Sequence, residues 1–370
     1  MKIVIWTGMA WETWGPESIN AEGLGGSETA VIHMAAELTA LGHEVAVIGQ
    51  VKPGNFAGVS YEDYRDYLDL RTRKIECDVF ISSRDLHVLR LLSPKARLSV
   101  LWMHDLSVGE DTAEELLGYD YIFVLSKYAF KYALNCYPHV PRTKYVVTRN
   151  GIDPNRFLLS GETADTLKSI VKSGCRAIYS SSYDRGLDRL LAFWPKIREL
   201  RSDAELHVYY GLDNAEKSAV MAGNKCDRNI LDYYRYRLAS MEEHGVVVHG
   251  RVGQQDLAMA FLDSSLWLYP TNFHETSCIT AMEAQAAGVF SVTSRLGALP
   301  ETLKYGRFID PPNTDLRYEE AFLGIIRKYL NGMDPIAYSD LIDGRSWALR
   351  KLAWSGVAAD WHAFFEEILA

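Results

Sequence analysis

Two glutamates flank a predicted strand-to-helix turn in the second half of the chain. An apolar strand is predicted over residues 265–270, and a helix that ends near Gly288 follows it. Glu275 precedes the turn, and Glu283 lies two helical turns further along. Thr276–Cys278 would then offer free backbone amide groups at the helix start, which attract a diphosphate, and carboxylates accept hydrogen bonds from sugar hydroxyl groups. The segment predicts a site for a sugar linked to a diphosphate; the alternative is a capped helix with two unrelated glutamates.

A glycine-containing loop near the N-terminus also suits an anionic ligand. The first predicted strand leads through residues 8–23 into Gly25-Gly26-Ser27-Glu28 at the start of a helix. Glycine lets backbone amide groups approach a ligand closely, and a helix start favours negative charge. The spacing of Gly23, Gly25 and Gly26 differs from the Gly-x-Gly-x-x-Gly dinucleotide fingerprint. The alternative is an ordinary helix start in which Ser27 is the N-cap residue.

A histidine follows one of the predicted strands of the first half. His104 comes directly after the strand at 98–103, at the carboxyl edge where open α/β sheets bind ligands. It is therefore a candidate site residue. The alternative is a structural histidine that pairs with Asp105.

The elements that position these residues alternate between short apolar strands and helices. Strands are predicted at 2–6, 44–49, 78–82, 98–103, 121–125 and 145–148, and again at 177–181, 205–210, 246–249, 265–270 and 290–293. Such alternation, occurring twice, predicts two α/β domains with parallel sheets wrapped by helices. Asn150-Gly151-Ile152-Asp153-Pro154 separates the two series as a hinge. The predicted domains are residues 1–155 and 156–345, and a C-terminal helical segment at 346–370 packs across to the first.

Length and composition limit the class of protein. The 370 residues suit two domains of average size, and no apolar run approaches the roughly 20 residues of a membrane span. The formal net charge of −9 argues against a protein that binds nucleic acid. No signal peptide is recognisable, and the cysteines lack metal or redox spacing, namely Cys77, Cys136, Cys175, Cys226 and Cys278. We therefore expect a cytoplasmic protein with reduced thiols and no bound metal.

Together these segments resemble the retaining GT-B glycosyltransferases of the glycogen-synthase-like group 1 class. Glu275, seven intervening residues and Glu283, followed by Gly288 and the segment at 297–301, resemble the donor-binding region of that class. Three further segments resemble segments of that class and occur in the same order along the chain. These are the glycine loop at 25–28, the interdomain connection at 150–153 and the loop at 181–187. The resemblance spans residues 1–305 and implies two facing Rossmann-like domains with a C-terminal helix that crosses back.

The resemblance implies roles for individual residues of this sequence. Arg185 would contact the donor diphosphate in the place usually held by lysine, or it is a solvated residue at a helix start. Ser180 stands where the family commonly has a second basic residue, so one phosphate contact is missing or is supplied elsewhere. The implied catalytic residues are His104, Glu275 and Arg185. The implied donor-binding residues are Gly25, Gly26, Ser27, Ser181, Arg185, Thr276, Ser277, Cys278, Ile279 and Glu283.

The implied function is that of a hexosyltransferase of carbohydrate biosynthesis. It moves a sugar from a nucleoside diphosphate sugar to an acceptor with retention of anomeric configuration, and no metal or other cofactor is expected. The acceptor is a saccharide, a lipid-linked molecule or a protein. The basic and aromatic residues over 128–145 suit peripheral contact with a membrane. The alternative is that they lie on the surface of a helix without a binding role. The alternatives are a non-catalytic nucleotide-sugar binding subunit and a sugar-nucleotide epimerase, whereas a nicotinamide-dependent dehydrogenase lacks its fingerprint.

Overall fold

The protein is described here by a computed structural model, which covers residues 1–370 except 22, 70–72, 110–111, 163–171, 173, 214, 218–224, 311 and 333–334. The chain divides into two compact units. The first unit comprises residues 1–19, 24–151 and 353–370, and the second comprises residues 20–23 and 152–352. Apart from the short segment at 20–23, the chain changes unit after residues 151 and 352, whereas the boundaries predicted from sequence are after residues 155 and 345.

The first unit contains an eight-stranded sheet. Its strands are β1 (Lys2–Gly8), β2 (Glu44–Gly49), β3 (Gly54–Phe56), β4 (Val59–Asp63), β5 (Glu76–Ser83), β6 (Lys95–Met103), β7 (Tyr121–Val124) and β8 (Tyr145–Val147). Their order is β3-β4-β2-β1-β5-β6-β7-β8, and only the β3–β4 pair is antiparallel. Residues 79–81 of β5 and 100–103 of β6 are buried without interruption, as expected for parallel strands that helices cover on both faces.

The second unit contains a six-stranded parallel sheet. Its strands are β9 (Arg176–Tyr179), β10 (Glu205–Tyr209), β11 (Val246–Gly250), β12 (Leu266–Tyr269), β13 (Phe290–Ser294) and β14 (Arg307–Ile309). The strand order is β11-β10-β9-β12-β13-β14. Every residue of β12 is buried, so this strand lies in the middle of the core of the unit.

Helices cover both sheets. They are α1 (Ser18–Ala21), α2 (Gly26–Ala40), α3 (Val88–Leu92), α4 (Ala113–Gly118), α5 (Lys127–Cys136), α6 (Leu187–Leu200), α7 (Lys225–Ala239), α8 (Gln254–Asp263), α9 (Ile279–Ala286), α10 (Leu299–Thr302), α11 (Leu316–Leu330), α12 (Pro335–Lys351) and α13 (Trp354–Leu369). Helix α13 packs in the first unit, where Trp361 contacts the rings of Trp102 and Phe123. Within the residues described, none of these helices has the length and apolar character needed to cross a membrane.

Two parts of the structure differ from the sequence-based expectation. The patterns do not predict the β3–β4 hairpin or β14, because these strands are short and include few apolar residues. The C-terminal segment at 346–370 is predicted as one helix, whereas α12 ends at Lys351 and α13 begins at Trp354. The Leu352 carbonyl accepts a hydrogen bond of 2.8 Å from the Ile152 N–H, so a partner distant in sequence interrupts the helical hydrogen bonding.

Candidate functional site

The carboxyl ends of β9 and β12 form the candidate site of the second unit. Strands β10 and β11 extend the sheet on one side of β9, and the chain then returns to place β12 on the other side. Open α/β sheets bind ligands at such a switch point, in the crevice outside the carboxyl ends of the strands. Arg185 follows β9 and Glu275 follows β12, so the strand order brings together two residues 90 positions apart.

Arg185 ends a short 3₁₀ turn, Tyr183–Arg185, and its guanidinium contacts side chains of other described residues. Nη1 lies 3.4 Å from Oε1 of Glu275, and Nε lies 3.5 Å from a carboxylate oxygen of Asp184. The guanidinium also lies over the ring of Phe273, 3.2 Å from its centroid. These contacts fix the cation, while 28% of the side chain remains accessible to a ligand.

Gly186 lets the turn that carries Arg185 lie against the end of β12. Its φ is +106°, and a Cβ at this position would be 2.4 Å from the carbonyl oxygen of Pro270. A side chain would therefore collide with backbone, and the φ value itself is one that glycine adopts without strain. The loop after β9 is thus packed directly on the segment after β12.

Glu275 is 8% exposed and is held through both its backbone and its side chain. Its carbonyl oxygen accepts a hydrogen bond of 2.8 Å from the Ala298 N–H. Its Oε1 accepts a hydrogen bond of 2.6 Å from the Tyr269 hydroxyl and faces Nη1 of Arg185. Burial raises the pKa of the Glu275 carboxyl group, and the charge of Arg185 and the Tyr269 hydroxyl oppose that rise. The carboxylate is therefore fixed in position through Oε1.

The helix that follows Glu275 begins later than the sequence analysis expects. Helix α9 begins at Ile279, and Cys278 is its N-cap residue. The Cys278 side chain forms no capping hydrogen bond with the described first turn of the helix. The reason is that Cys278 has an extended backbone, with φ −71° and ψ 104°. Thr276 and Ser277 therefore lie in the loop before the helix, and the amide groups at the helix start are those from Cys278 onward. This corrects the predicted location of the amide groups that attract an anion.

Glu283 lies within α9 and faces a different cation. It is 7% exposed, and burial raises the pKa of its carboxyl group to about 7, while the positive charge of Arg156 opposes that rise. Arg156 belongs to the turn Pro154–Phe157, which packs against α9, and its guanidinium contacts Gln254 and Asp153. The two glutamates of the motif are thus buried in separate electrostatic surroundings.

We expect Glu283→Gln to make the stability of the protein less dependent on pH. An ordinary glutamate has a pKa of about 4.3 in the unfolded chain, whereas burial raises the pKa of Glu283 to about 7 in the folded chain. From about pH 4.5 upward the unfolded chain releases this proton, whereas the folded state keeps it until about pH 7, so the free energy of unfolding falls progressively over this range, by roughly 3 kcal/mol. Glutamine stays neutral, so the variant should gain in melting temperature relative to the parent chain across this range.

Melting curves between about pH 5 and pH 8 test this expectation. Glu320→Gln is the matched control, because Glu320 is exposed and the substitution removes the same charge from the surface. A difference in melting temperature between Glu283→Gln and the parent chain that stays constant with pH would mean that the pKa of Glu283 is not raised.

Two serines follow β9 directly. The Ser181 Oγ lies 3.3 Å from the Tyr269 hydroxyl oxygen, so Ser181 joins the group around Glu275. Ser180 is 6% exposed, and its hydroxyl has no hydrogen-bond partner among the residues that the structure describes. Ser180, at the position where the resemblance implies a second basic residue, is therefore a small buried side chain without positive charge.

In the first unit, His104 follows β6 and contacts other residues of the protein. Its Nε2 lies 3.1 Å from the Ser83 Oγ, and its ring lies 4.4 Å from the ring of Trp102. Burial and the positive charge of Arg84 lower the pKa of His104 to about 3. Asp105 forms an ion pair of 2.7 Å with Arg84. His104 is therefore neutral near pH 7 and suited to hydrogen bonding rather than to carrying a positive charge.

The glycine loop leads into α2 without a serine cap. Gly25, with an extended backbone, is the N-cap residue and the helix begins at Gly26, so Ser27 lies in the first turn and is not the cap. The Ser27 Oγ donates to Glu28 at 3.0 Å and accepts from Nη1 of Arg84 at 3.2 Å. Arg84 thus links the start of α2 to the end of β5 in the first sheet.

The structure assembles only part of the predicted residue set within one unit. Ser181, Arg185 and Glu275 are joined through Tyr269 and Phe273, two residues that the sequence analysis does not single out. Thr276, Ser277, Cys278, Ile279 and Glu283 continue from this group into α9, whereas Gly25, Gly26, Ser27 and His104 belong to the first unit. Tyr269 carries a recognisable signal, because a hydroxyl group at the end of an apolar strand reaches the ligand-binding edge of a sheet.

Comparison with known proteins gives one family match and two curated relatives. Residues 175–327 match the family described as Glycosyl transferases group 1. Mannosylfructose-phosphate synthase of Agrobacterium fabrum is 24% identical over 232 residues, which cover 58% of this chain and 46% of that protein. An uncharacterized glycosyltransferase of Methanocaldococcus jannaschii is 29% identical over 187 residues, which cover 48% of this chain and 44% of that protein. The chain spans less than half the length of these two curated relatives.

Solved structures are similar over nearly the whole chain. A glycosyltransferase of Rickettsia africae has a TM-score of 0.68 at 13% identity, covering 99% of this chain and 98% of that one. Sucrose-phosphate synthase of Thermosynechococcus elongatus has a TM-score of 0.67 at 14% identity, covering 100% and 99%. HepE of Anabaena, in complex with UDP and glucose, has a TM-score of 0.67 at 13% identity, covering 99% and 100%. The chain therefore has the GT-B fold with two Rossmann-like domains, and its residues 175–327 are similar to the group 1 glycosyltransferases.

Proposed function

We propose that this protein is a glycosyltransferase whose second unit binds a nucleoside diphosphate sugar. The main support for this proposal is the contact between Nη1 of Arg185 and Oε1 of Glu275, 3.4 Å apart. This contact lies at the switch point of the second sheet, within the residues that match the group 1 family. This arrangement places a cation suited to a diphosphate beside a carboxylate suited to sugar hydroxyl groups. Similar structures of HepE contain UDP with glucose, or UDP-glucose, which supports a nucleotide sugar as the donor class.

Stabilisation of the leaving group is the main catalytic contribution that these residues offer. Negative charge builds on the diphosphate as its bond to the sugar breaks. Arg185 and the amide groups at the start of α9 would stabilise that charge from fixed positions, which is more effective than reorganising water. In this proposal the reaction needs no metal ion, because the protein itself supplies the positive charge.

The two glutamates have different tasks in this proposal. Glu275 lies beside Arg185 and would accept hydrogen bonds from the donor sugar. Glu283 lies beside Arg156 and would hold the ribose, since a buried carboxylate with one nearby cation is suited to accept from ribose hydroxyl groups. His104 of the first unit is a neutral imidazole near pH 7, which is suited to hydrogen bonding rather than to proton transfer.

The proposed outcome of the reaction is transfer with retention of anomeric configuration. The resemblance to retaining enzymes supports this part of the proposal, and nuclear magnetic resonance of the first-formed product tests it. The acceptor would be a saccharide, a lipid-linked molecule or a protein. Ser27, which follows Gly25 and Gly26, accepts a hydrogen bond from Arg84 at the carboxyl end of β5, and this location favours the first unit as the acceptor side.

The test of the proposed function combines ligand binding with donor hydrolysis. UDP-glucose, GDP-mannose and ADP-glucose are each incubated with the full chain, and the melting temperature and the release of nucleoside diphosphate are measured. We expect one of these donors to raise the melting temperature, because a ligand that binds the folded state stabilises it. We also expect that donor to release its nucleoside diphosphate slowly in the absence of acceptor.

The other outcomes separate the alternatives. A rise in melting temperature without any release of nucleoside diphosphate would favour a binding subunit. Interconversion of the donor sugar, detected by chromatography, would favour an epimerase. A chain that is stabilised by nicotinamide cofactors and by none of the three nucleotide sugars would contradict the proposal.

A further inference from the structure

We infer that Tyr269 is a positioning residue for Glu275, holding its Oε1 so that its Oε2 is presented to the donor sugar. This inference rests on the proposed function and adds to it a residue that contacts no part of the reaction itself. The supporting observation is that, in the described part of the chain, both hydrogen-bond donors to the Glu275 carboxylate bind the same oxygen, Oε1. The Tyr269 hydroxyl lies 2.6 Å from Oε1, and Nη1 of Arg185 lies 3.4 Å from the same atom.

The ring of Tyr269 is rigidly placed. Tyr269 is the last residue of β12 and is fully buried. Its ring packs against Trp267, with centroids 4.9 Å apart, and against Tyr179, with centroids 5.8 Å apart. A ring that is packed on a central strand loses little further entropy when its hydroxyl forms a hydrogen bond. The hydroxyl therefore defines the position of the carboxylate rather than following it.

The hydroxyl has a second neighbour that sets its direction. The Ser181 Oγ lies 3.3 Å from the Tyr269 hydroxyl oxygen. Since a phenol hydroxyl has one proton, donation to Glu275 leaves its oxygen to accept from Ser181. The series Ser181 to Tyr269 to Glu275 thus runs from the loop after β9 to the loop after β12, across the switch point.

Fixing Oε1 determines what the other oxygen does. A carboxylate has two oxygens that accept hydrogen bonds in the plane of the group, and anchoring one oxygen sets the orientation of both. Without the Tyr269 hydroxyl, the carboxylate could rotate toward Arg185 and engage it with both oxygens. In that orientation it would bind the cation instead of the sugar.

Tyr269→Phe tests this inference, because it removes the hydroxyl and keeps the packed ring. Dissociation constants are measured for the parent chain and the variant with three pairs of probes, UDP and UDP-glucose, GDP and GDP-mannose, and ADP and ADP-glucose. The quantity of interest is the gain in affinity that the sugar provides over the nucleoside diphosphate alone. We expect the variant to lose about tenfold or more of this gain, while its affinity for the nucleoside diphosphate stays unchanged.

Tyr318→Phe is the matched control. Tyr318 is also buried in the second unit, and its hydroxyl bonds to the Ser294 Oγ at 2.8 Å, so the substitution removes one buried hydrogen bond without touching Glu275. This control should keep the full gain from the sugar. Melting temperatures of both variants report any general loss of stability.

Several outcomes would overturn the inference. If Tyr269→Phe keeps the gain from the sugar, or loses affinity for nucleoside diphosphate and nucleotide sugar equally, Tyr269 has a structural role alone and the proposed function stands. If the sugar adds no affinity in the parent chain, Glu275 does not hold it. If the parent chain binds neither member of any pair, the proposed function fails together with the inference.

Discussion

Arg185→Ala and Glu275→Ala should each reduce the rate of sugar transfer by about 100-fold or more. Loss of Arg185 removes a fixed positive charge from the position where the diphosphate becomes more negative, so it affects the transition state more than the ground state. Loss of Glu275 removes the carboxylate that orients the sugar. The rate constant kcat and the ratio kcat/KM are measured with the donor identified by the binding screen, and both should fall.

A surface arginine provides the control for the loss of charge. Arg317 pairs with Asp315 and is 89% exposed, so Arg317→Ala removes an arginine from an exposed ion pair of the same unit. Such pairs contribute little to stability, and this variant should keep the activity of the parent chain. Near-normal turnover in both Arg185→Ala and Glu275→Ala would end the assignment of this site.

The pairing of the two residues allows stability and activity to be separated. Arg185→Ala alone leaves the buried carboxylate of Glu275 without its cation, which destabilises the fold as well as the transition state. In the double variant Arg185→Ala/Glu275→Gln, the neutral amide can still accept from the Tyr269 hydroxyl. We therefore expect the double variant to recover melting temperature relative to Arg185→Ala and to remain inactive.

The regular elements of this chain follow closely from local sequence. The strand predicted at 44–49 is β2 with the same bounds. Its short apolar stretch is flanked by polar residues, and such a pattern indicates where a buried strand begins and ends. The β3–β4 hairpin is not predicted, because its strands are too short to give a clear pattern of apolar residues. The antiparallel hydrogen bonds between β3 and β4 stabilise these strands, and the amino-acid composition does not indicate such pairing. The division between α12 and α13 depends on the Ile152 N–H, which a local pattern cannot include.

Sequence motifs name the candidate site residues but do not predict their contacts. Motifs in the sequence indicate Arg185 and Glu275 as candidates. The local sequence of neither residue indicates that Nη1 of Arg185 lies 3.4 Å from Oε1 of Glu275. That distance depends on β9 and β12 being neighbours, which is a property of the strand order. The roles of Tyr269 and Phe273 depend on the same order, because each contacts a residue brought in from another strand or loop.

Gly297→Ala should reduce both stability and sugar transfer, although residue 297 has no side chain to contact a ligand. The φ of Gly297 is +58°, and a Cβ there would lie 2.6 Å from the carbonyl oxygen and 2.7 Å from the nitrogen of Glu275. These are backbone atoms, so relieving the collision requires a shift of the backbone at residue 297 or of the loop that holds Glu275. Such strain corresponds to about 1–3 kcal/mol, and we expect a lower melting temperature together with at least about a tenfold loss of kcat/KM.

Gly324→Ala separates this effect from the general consequence of adding a methyl group. Gly324 lies in α11, and a Cβ there meets no atom within 4 Å, so alanine should stabilise the helix by about 0.5–1 kcal/mol and leave transfer unchanged. The neighbouring Ala298 N–H donates to the main-chain carbonyl oxygen of Glu275 at 2.8 Å, so a displacement at residue 297 is transmitted to the backbone that carries the carboxylate. If Gly297→Ala keeps the melting temperature and activity of the parent chain, the position of Glu275 does not depend on this loop, and the close backbone contact does not position the site.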